Sequence, residues 1–414
     1  MLIKELLIHL GEKDSKVDKR IVLIIERLLN EFELKDLFLN ESICLNVLLK
    51  NFYIISETNC ECTNSIDSKV VYINQEKWSS INIDINRFSL VEQEEVEYKD
   101  KRLFENVKFV GDKFESDMKE YILELRKCIT KGKRIQFEHA INVLAFYRDA
   151  TLYIQVQSLF SGTYLNILSI AQGSMVCTNN GSELCMKLQR KNNDLYKVKG
   201  LAKGVYSSLN LVFEKEASSI LLHEVVHIFE KDNLRPLLGK KVMCEDITIV
   251  DSPYVTGSWA NRIYDDFGRK MDDCVLVKSG ILINTGSMIK RDLINDEDRK
   301  RFMVNTTLLS SRESEESILN EEVNERLIFS QILGAKNDGK NIILSRCRYR
   351  HYREGVYSEE YYISKMVLKI SDIVKKMIPI GKENCMVNGL CSNQYYVSYS
   401  APILLLKEIG IQVD

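Results

Sequence analysis

Apolar residues recur at three- and four-residue intervals over Val17 to Phe32 and Phe114 to Cys128, a spacing that predicts amphipathic helices. The first ~130 residues are therefore expected to be largely helical, with the mixed stretch from about 50 to 110 left unassigned. From about Arg134 the pattern turns to β-rich runs, TLYIQVQSLF, TYLNILSIAQ and MVCTNNGSELCMKL, the last with a two-residue hairpin signal at Asn180-Gly181. A boundary near Gly200 to Gly204 would divide a domain of residues 1–204 from one of residues 205–414.

Past that boundary, from about Phe213 to Lys231, the chain is apolar nearly all round and predicts a buried helix. Strands resume in CVLVKSGILIN, turning at Ser279-Gly280, and a further helix is predicted from Glu313 to Phe329. The remainder reads as a β-meander: NIILSRCRYRHYR after Asp338-Gly339, then GVYSEEYYISKMVLKI, then QYYVSYSAPILLLKEI, where Pro402 suits an edge strand or a strand start. Arg346, Arg348 and Arg350 alternate along one of these strands and are expected on a solvated face.

Composition narrows the function. A net charge of -2 gives no electrostatic case for binding nucleic acid or an anionic membrane, and no apolar run is long enough to span a bilayer. MLIKELLIHLGEKDSK has Lys4 and Glu5 inside its apolar run and reads as an amphipathic helix, not a signal peptide, so a cytoplasmic protein is expected. Eleven cysteines, odd in number and irregular in spacing, read as reduced thiols. Cys60 and Cys62 form a C-x-C without a second pair, and His9 and His139 are solitary; all are read as structural.

The chemistry concentrates in LLHEVVHIF, residues 221–229. On a helix His223 and His227 share a face and can offer nitrogens to one metal ion, while Glu224 sits about 100° round, able to reach a water without ligating the metal. That is the arrangement of a zinc peptidase, with the metal acidifying the water and the glutamate acting as general base. Two buried imidazoles and a carboxylate are costly without a partner, which favours a metal over a plain core helix. A catalytic zinc takes three protein ligands, and the third is open. Glu245 has the sequence distance of a thermolysin-like ligand, but MCEDITIVDSP reads as a strand and turn.

Four blocks resemble the TldD/PmbA family of peptidases: LLHEVVHIFEKDN; DSPYVTGSWANRIYDDFGRKMDDCVLVKSGILIN; KRFMVNTTL; and NGLCSNQYYVSYSAPILLLKEIGI. The resemblance implies an α+β protein, with an N-terminal α+β domain and a C-terminal twisted antiparallel β domain carrying the motif helix. It implies Zn2+ as cofactor, Cys391 as third ligand, and hydrolysis of unstructured or modified peptides. It also implies pairing with a motif-less relative, or with a second copy. Asn388-Gly389 is a turn signal that would start a strand at Cys391. The sequence departs from the family in having one residue fewer between the histidines, a bulkier stretch over Ser392 to Tyr396, and a shorter chain before the motif. Two other functions compete: a non-catalytic structural partner, and a cysteine peptidase using Cys391.

Overall fold

The computed structural model describes residues 25, 29, 35–40, 43–56, 60–72, 80–83, 107–110, 118–127, 129, 133–166, 176–178, 204–230, 232–256, 258–265, 270–285, 305–311, 325–391 and 395–413. The Asn180-Gly181 turn and the N-terminal amphipathic segment lie outside them, as does most of the helix expected over 17–32, of which Ile25 and Leu29 are helical and buried. Two compact units emerge: residues 1–195 with 261–271, and residues 196–260 with 272–414. Among the described residues no helix is long and apolar enough to cross a membrane.

The first unit is far richer in strand than its sequence pattern suggests. Its strands are β1 (Ile43–Ile55), β2 (Cys60–Tyr72), β3 (Ser80–Ile83), β4 (Val107–Val110), β5 (Lys133–Arg148), β6 (Thr151–Asn166) and β7 (Val176–Thr178). They form one sheet in the order β3-β2-β1-β5-β6-β4, with β7 also on β6, antiparallel except where β4 meets β6. Among the described residues, helix is found at Ile25 and Leu29, over Lys35–Leu39 and over Met118–Lys127, the last within the predicted segment. Among the described residues the expectation of a mostly helical start therefore fails. β1 is held by pairing with β5, as in Leu45 opposite Ala145, and a contact so distant in sequence leaves no local trace. Leu125 of the helix packs with Tyr53, Ile55, Ile135, Phe137 and Phe160 in a core of this unit. His139 is fully buried against Phe160, centroids 4.5 Å apart, and burial pushes its pKa down to about 3, so it is a neutral core residue.

The second unit is built on β8 (Gly204–Phe213), β9 (Ile247–Asp251), β10 (Cys274–Lys278), β11 (Ile281–Leu282), β12 (Asn305–Ser310), β13 (Glu325–Asn337), β14 (Asn341–Arg353), β15 (Val356–Lys369), β16 (Met377–Cys391) and β17 (Tyr395–Val413). The order is β11-β10-β9-β12-β17-β15-β14-β13-β8, with β16 on β17. Because β17 pairs with β8 as well, strands β8, β13, β14, β15 and β17 close on themselves. Pairing is antiparallel except for β12 with β17 and β8 with β13.

Ser279 and Gly280 both have positive φ and turn β10 into β11, as the sequence predicts. A Cβ on Gly280 would lie 2.5 Å from the Met243 carbonyl oxygen, so only glycine fits. The helix expected to run to Phe329 does not: residues from Glu325 on are strand, fixed between β14 and β8. The meander is also broken by a helix over Ile370–Lys376. Arg346 is exposed, but Arg348 and Arg350 are half-buried and bonded to Glu360 and Glu214 at 3.6 and 3.0 Å.

The motif helix, Lys215–Val226, crosses the place where β17 changes neighbours. β17 pairs with β12 up to Ser400 and with β8 from Leu404 on, and Pro402, which has no N–H to offer, sits in the gap, opposite a register break in β16. Ser219 Oγ accepts from the Ala401 N–H at 2.9 Å and Ser218 Oγ from the Leu404 N–H at 3.1 Å. Each serine hydroxyl also lies 2.7–2.8 Å from a backbone carbonyl, Phe213 for Ser218 and both Lys215 and Cys385 for Ser219. Leu221, Leu222, Val225 and Val226 then share a core with Ile332, Leu344, Met366 and Leu404, each such side chain contributing roughly 1.5–3 kcal/mol by burial.

Ser219→Ala should cost about 1–3 kcal/mol, the penalty of leaving the Ala401 N–H buried without that acceptor, whereas the exposed Ser371→Ala should change stability by under about 0.5 kcal/mol. Urea denaturation of the two variants side by side checks this, and equal losses would show the docking role to be wrong.

Candidate metal centre

The motif helix starts without a side-chain cap; its N-cap Glu214 instead donates its backbone N–H to Phe329 and holds Arg350 with its carboxylate. At the other end α-helical geometry stops at Val226 and continues as a 3₁₀ turn over His227–Glu230. His223 and Glu224 are buried, and His227, the C-cap, is partly exposed.

Cys391 meets these histidines from the end of β16. Its expected position after a turn needs correction: Asn388 and Gly389 are inside β16, opposite Ser398 and Val397 of β17. Tertiary neighbours account for both residues. Asn388 Oδ1 accepts from Ser398 Oγ at 2.6 Å and from the Trp259 N–H at 3.2 Å. Gly389 leaves room for Tyr399, whose hydroxyl would be 2.5 Å from any added Cβ. The indole N–H of Trp259 donates to the Val397 carbonyl at 2.9 Å, and Ser258 bonds Ser398 at 2.7 Å and Asn305. These bonds fix the β16–β17 pair on which Cys391 rides.

The donors converge. His223 Nε2 and His227 Nε2 are 3.2 Å apart, Cys391 Sγ is 3.5 Å from His227 Nε2, and all three donor atoms lie within 4.8 Å of one another. Tetrahedral coordination with bonds of about 2.05 Å to nitrogen and 2.3 Å to sulfur requires separations of about 3.3 Å and 3.6 Å. The observed separations of 3.2 and 3.5 Å fit one ion, and a set of two nitrogens and one sulfur suits a borderline-soft metal. Among the described residues this is the group so arranged. Glu245 is elsewhere, exposed in a turn and 3.5 Å from Lys241.

Electrostatics favour a neutral imidazole at His223. Burial, reinforced by the neighbouring His227, pushes the His223 pKa down to about 3, which keeps a lone pair available near neutral pH. Burial pushes the Glu224 carboxyl up, against the opposing pull of His227 and of a hydrogen bond from the Asn337 backbone. The ring of Tyr399 stacks on His223, centroids 4.8 Å apart at 26°, and Cys391 shares an apolar cluster with Val397 and Tyr399, against which Val387 and Ile220 pack. Sequence reasoning finds the histidines and the glutamate through their spacing. It misses Tyr399 and Asn337, which carry no local signal.

Gly389→Ala should push Tyr399 off His223 and cost about 1–3 kcal/mol, and Tyr399→Phe, by removing the hydroxyl, should recover most of that loss. A double-mutant cycle in thermal stability tests the pair; additive losses would mean that the two residues do not interact.

Comparison with known proteins bears on the whole. The family model described as PmbA/TldA metallopeptidase C-terminal domain matches residues 207–412. A search of curated proteins finds no match. Among solved structures, a putative modulator of a DNA gyrase from Thermotoga maritima is similar with a TM-score of 0.60 at 11% identity, covering 92% of this chain and 100% of that one. A putative modulator of DNA gyrase from Bacteroides thetaiotaomicron gives 0.61 at 9% identity, covering 97% and 100%. TldE from Thermococcus kodakarensis gives 0.55 at 10% identity, covering 93% and 99%. At these identities the structures speak for the fold, and the matched domain contains every donor of the candidate centre. Through that domain the chain belongs to the TldD/PmbA family.

Proposed function

We propose that the protein is a zinc metallopeptidase acting on unstructured or modified peptides, as in maturation of a peptide precursor, with His223, His227 and Cys391 as metal ligands and Glu224 as general base. The observation that carries this reading is the convergence of two imidazole nitrogens and a thiol within 4.8 Å, next to a buried carboxylate on the same helix. When bound, zinc would supply a Lewis acid for the peptide carbonyl and would acidify a water molecule. Glu224 takes the proton from that water at its carboxylate and later gives it to the leaving amine nitrogen. A carboxyl raised by burial suits this two-way transfer, since it is a better proton carrier near neutrality than an exposed glutamate. The substrate adds a strand to a sheet edge, using main-chain hydrogen bonds with little side-chain selection. A reducing, cytoplasmic setting is part of this reading, with Cys274 and Cys347 as reduced core thiols.

One contact also suits a different chemistry: the 3.5 Å approach of Cys391 Sγ to His227 Nε2 would serve a cysteine nucleophile and its base. The two readings separate cleanly. Glu224→Gln should retain zinc and lose about 10²–10⁴ in turnover of an unstructured protein such as casein. Cys391→Ala should lose zinc, Glu245→Ala should keep it, and chelation should stop cleavage by the wild type. Wild-type turnover in Glu224→Gln, or chelator-resistant cleavage, would sink the metallopeptidase reading.

An intact donor set argues against a purely structural subunit, which would have no need of it. The partner proposed on the family's pattern is a motif-less relative, with a homodimer as the variant. Light scattering of the active species should give at least a dimer mass; full activity in a monomer would contradict this.

A further inference from the structure

Asn337 is the last residue of β13, and it touches Glu224 twice. Its side-chain amide donates to the Glu224 carbonyl oxygen at 2.7 Å, and its backbone N–H bonds the Glu224 carboxylate. The amide is oriented by a third bond: Oδ1 accepts from the Gly339 N–H at 2.7 Å, which leaves the NH₂ to face the helix. The turn behind it is firm, since Asp338 Oδ1 accepts from the backbone of Lys340 at 2.9 Å and of Asn341 at 2.7 Å, and Gly339 takes φ +94°.

The carbonyl so held is where the helix changes character. In an uninterrupted α-helix it would accept the N–H four residues on, but here 3₁₀ geometry takes over at His227, and a side chain from another strand supplies a donor. We infer that Asn337 is a positioning residue that terminates the motif helix between the general base and the second histidine, and so aims the Glu224 carboxylate and the His227 imidazole together. The inference rests on the metal-site reading above. It adds a partner that grips the backbone of the helix carrying the ligands as well as the base, where the residues around a metal site usually hold a ligand by its side chain.

The test compares Asn337→Ala and Asn337→Asp with Asp338→Ala. The aspartate keeps the acceptor for Gly339 but removes the donor to Glu224, whereas Asp338→Ala loosens the turn without touching Glu224. Zinc affinity is measured by competition with a chromophoric chelator, and amide hydrogen exchange is followed over residues 227–230 of the metal-free protein. Both Asn337 variants should bind zinc about tenfold or more weakly and exchange faster over that turn, while Asp338→Ala loses thermal stability but stays within about twofold of wild-type zinc affinity. Wild-type affinity in both Asn337 variants, or equal weakening in Asp338→Ala, would overturn the inference. If the wild type takes up no zinc, the metallopeptidase reading fails by itself. Exchange then decides: faster exchange only in the Asn337 variants supports the helix-terminating role, and unchanged exchange overturns it.

Discussion

Two backbone amides of β17, those of Ala401 and Leu404, set the geometry on which the rest of this site depends. Ala401 lies where the strand has left β12 and Leu404 where it joins β8, and both also sit opposite β16, at Cys385 and Pro379. A buried N–H needs an acceptor. Here the acceptors are the hydroxyls of Ser218 and Ser219, so the motif helix is itself a part of the sheet's hydrogen bonding. The helix can neither slide nor rotate without uncovering those amides, and His223 is one turn further along it.

The same logic fixes the other side of the centre. Cys391 is carried by β16, and β16 is registered on β17 by pairing from Asn388–Ser398 to Cys391–Tyr395. Ser219 reaches β16 too, through the Cys385 carbonyl at 2.8 Å. One serine thus ties the histidine-bearing helix to both strands of the hairpin that delivers the thiol. Three donors from sequence positions as distant as His223 and Cys391 meet because a single serine hydroxyl is shared among the elements that carry them.

Burial gives the site its chemistry. Neutral imidazole is the form a metal requires, and desolvation favours it at His223. The carboxylate beside it is kept usable by contrary influences: burial raises its pKa, while His227 and the Asn337 backbone oppose that rise. These groups come from a helix and from the end of a strand in the same unit, so the balance is a property of packing and not of the motif.

Much of this was legible in the sequence wherever the signal is local. The helix over the motif, the turns at Ser279-Gly280 and Asp338-Gly339 and the C-terminal strands follow from periodicity and from residues that favour turns. The i, i+4 histidines with their glutamate fix which side chains share a helix face before any fold is known. Only the tertiary structure decided the rest. The strands of the first unit, the strand beginning at Glu325 and the pairing of Asn388-Gly389 exist because distant partners hold them, and a distant partner is invisible in local pattern. Resemblance nominated Cys391 as third donor, but its approach to His227 was set by strand register, as were the stacking of Tyr399 on His223 and the grip of Asn337 on Glu224. Helical periodicity determines which residues face the same way along one element; where two elements meet is determined by the hydrogen bonds and buried surfaces between them.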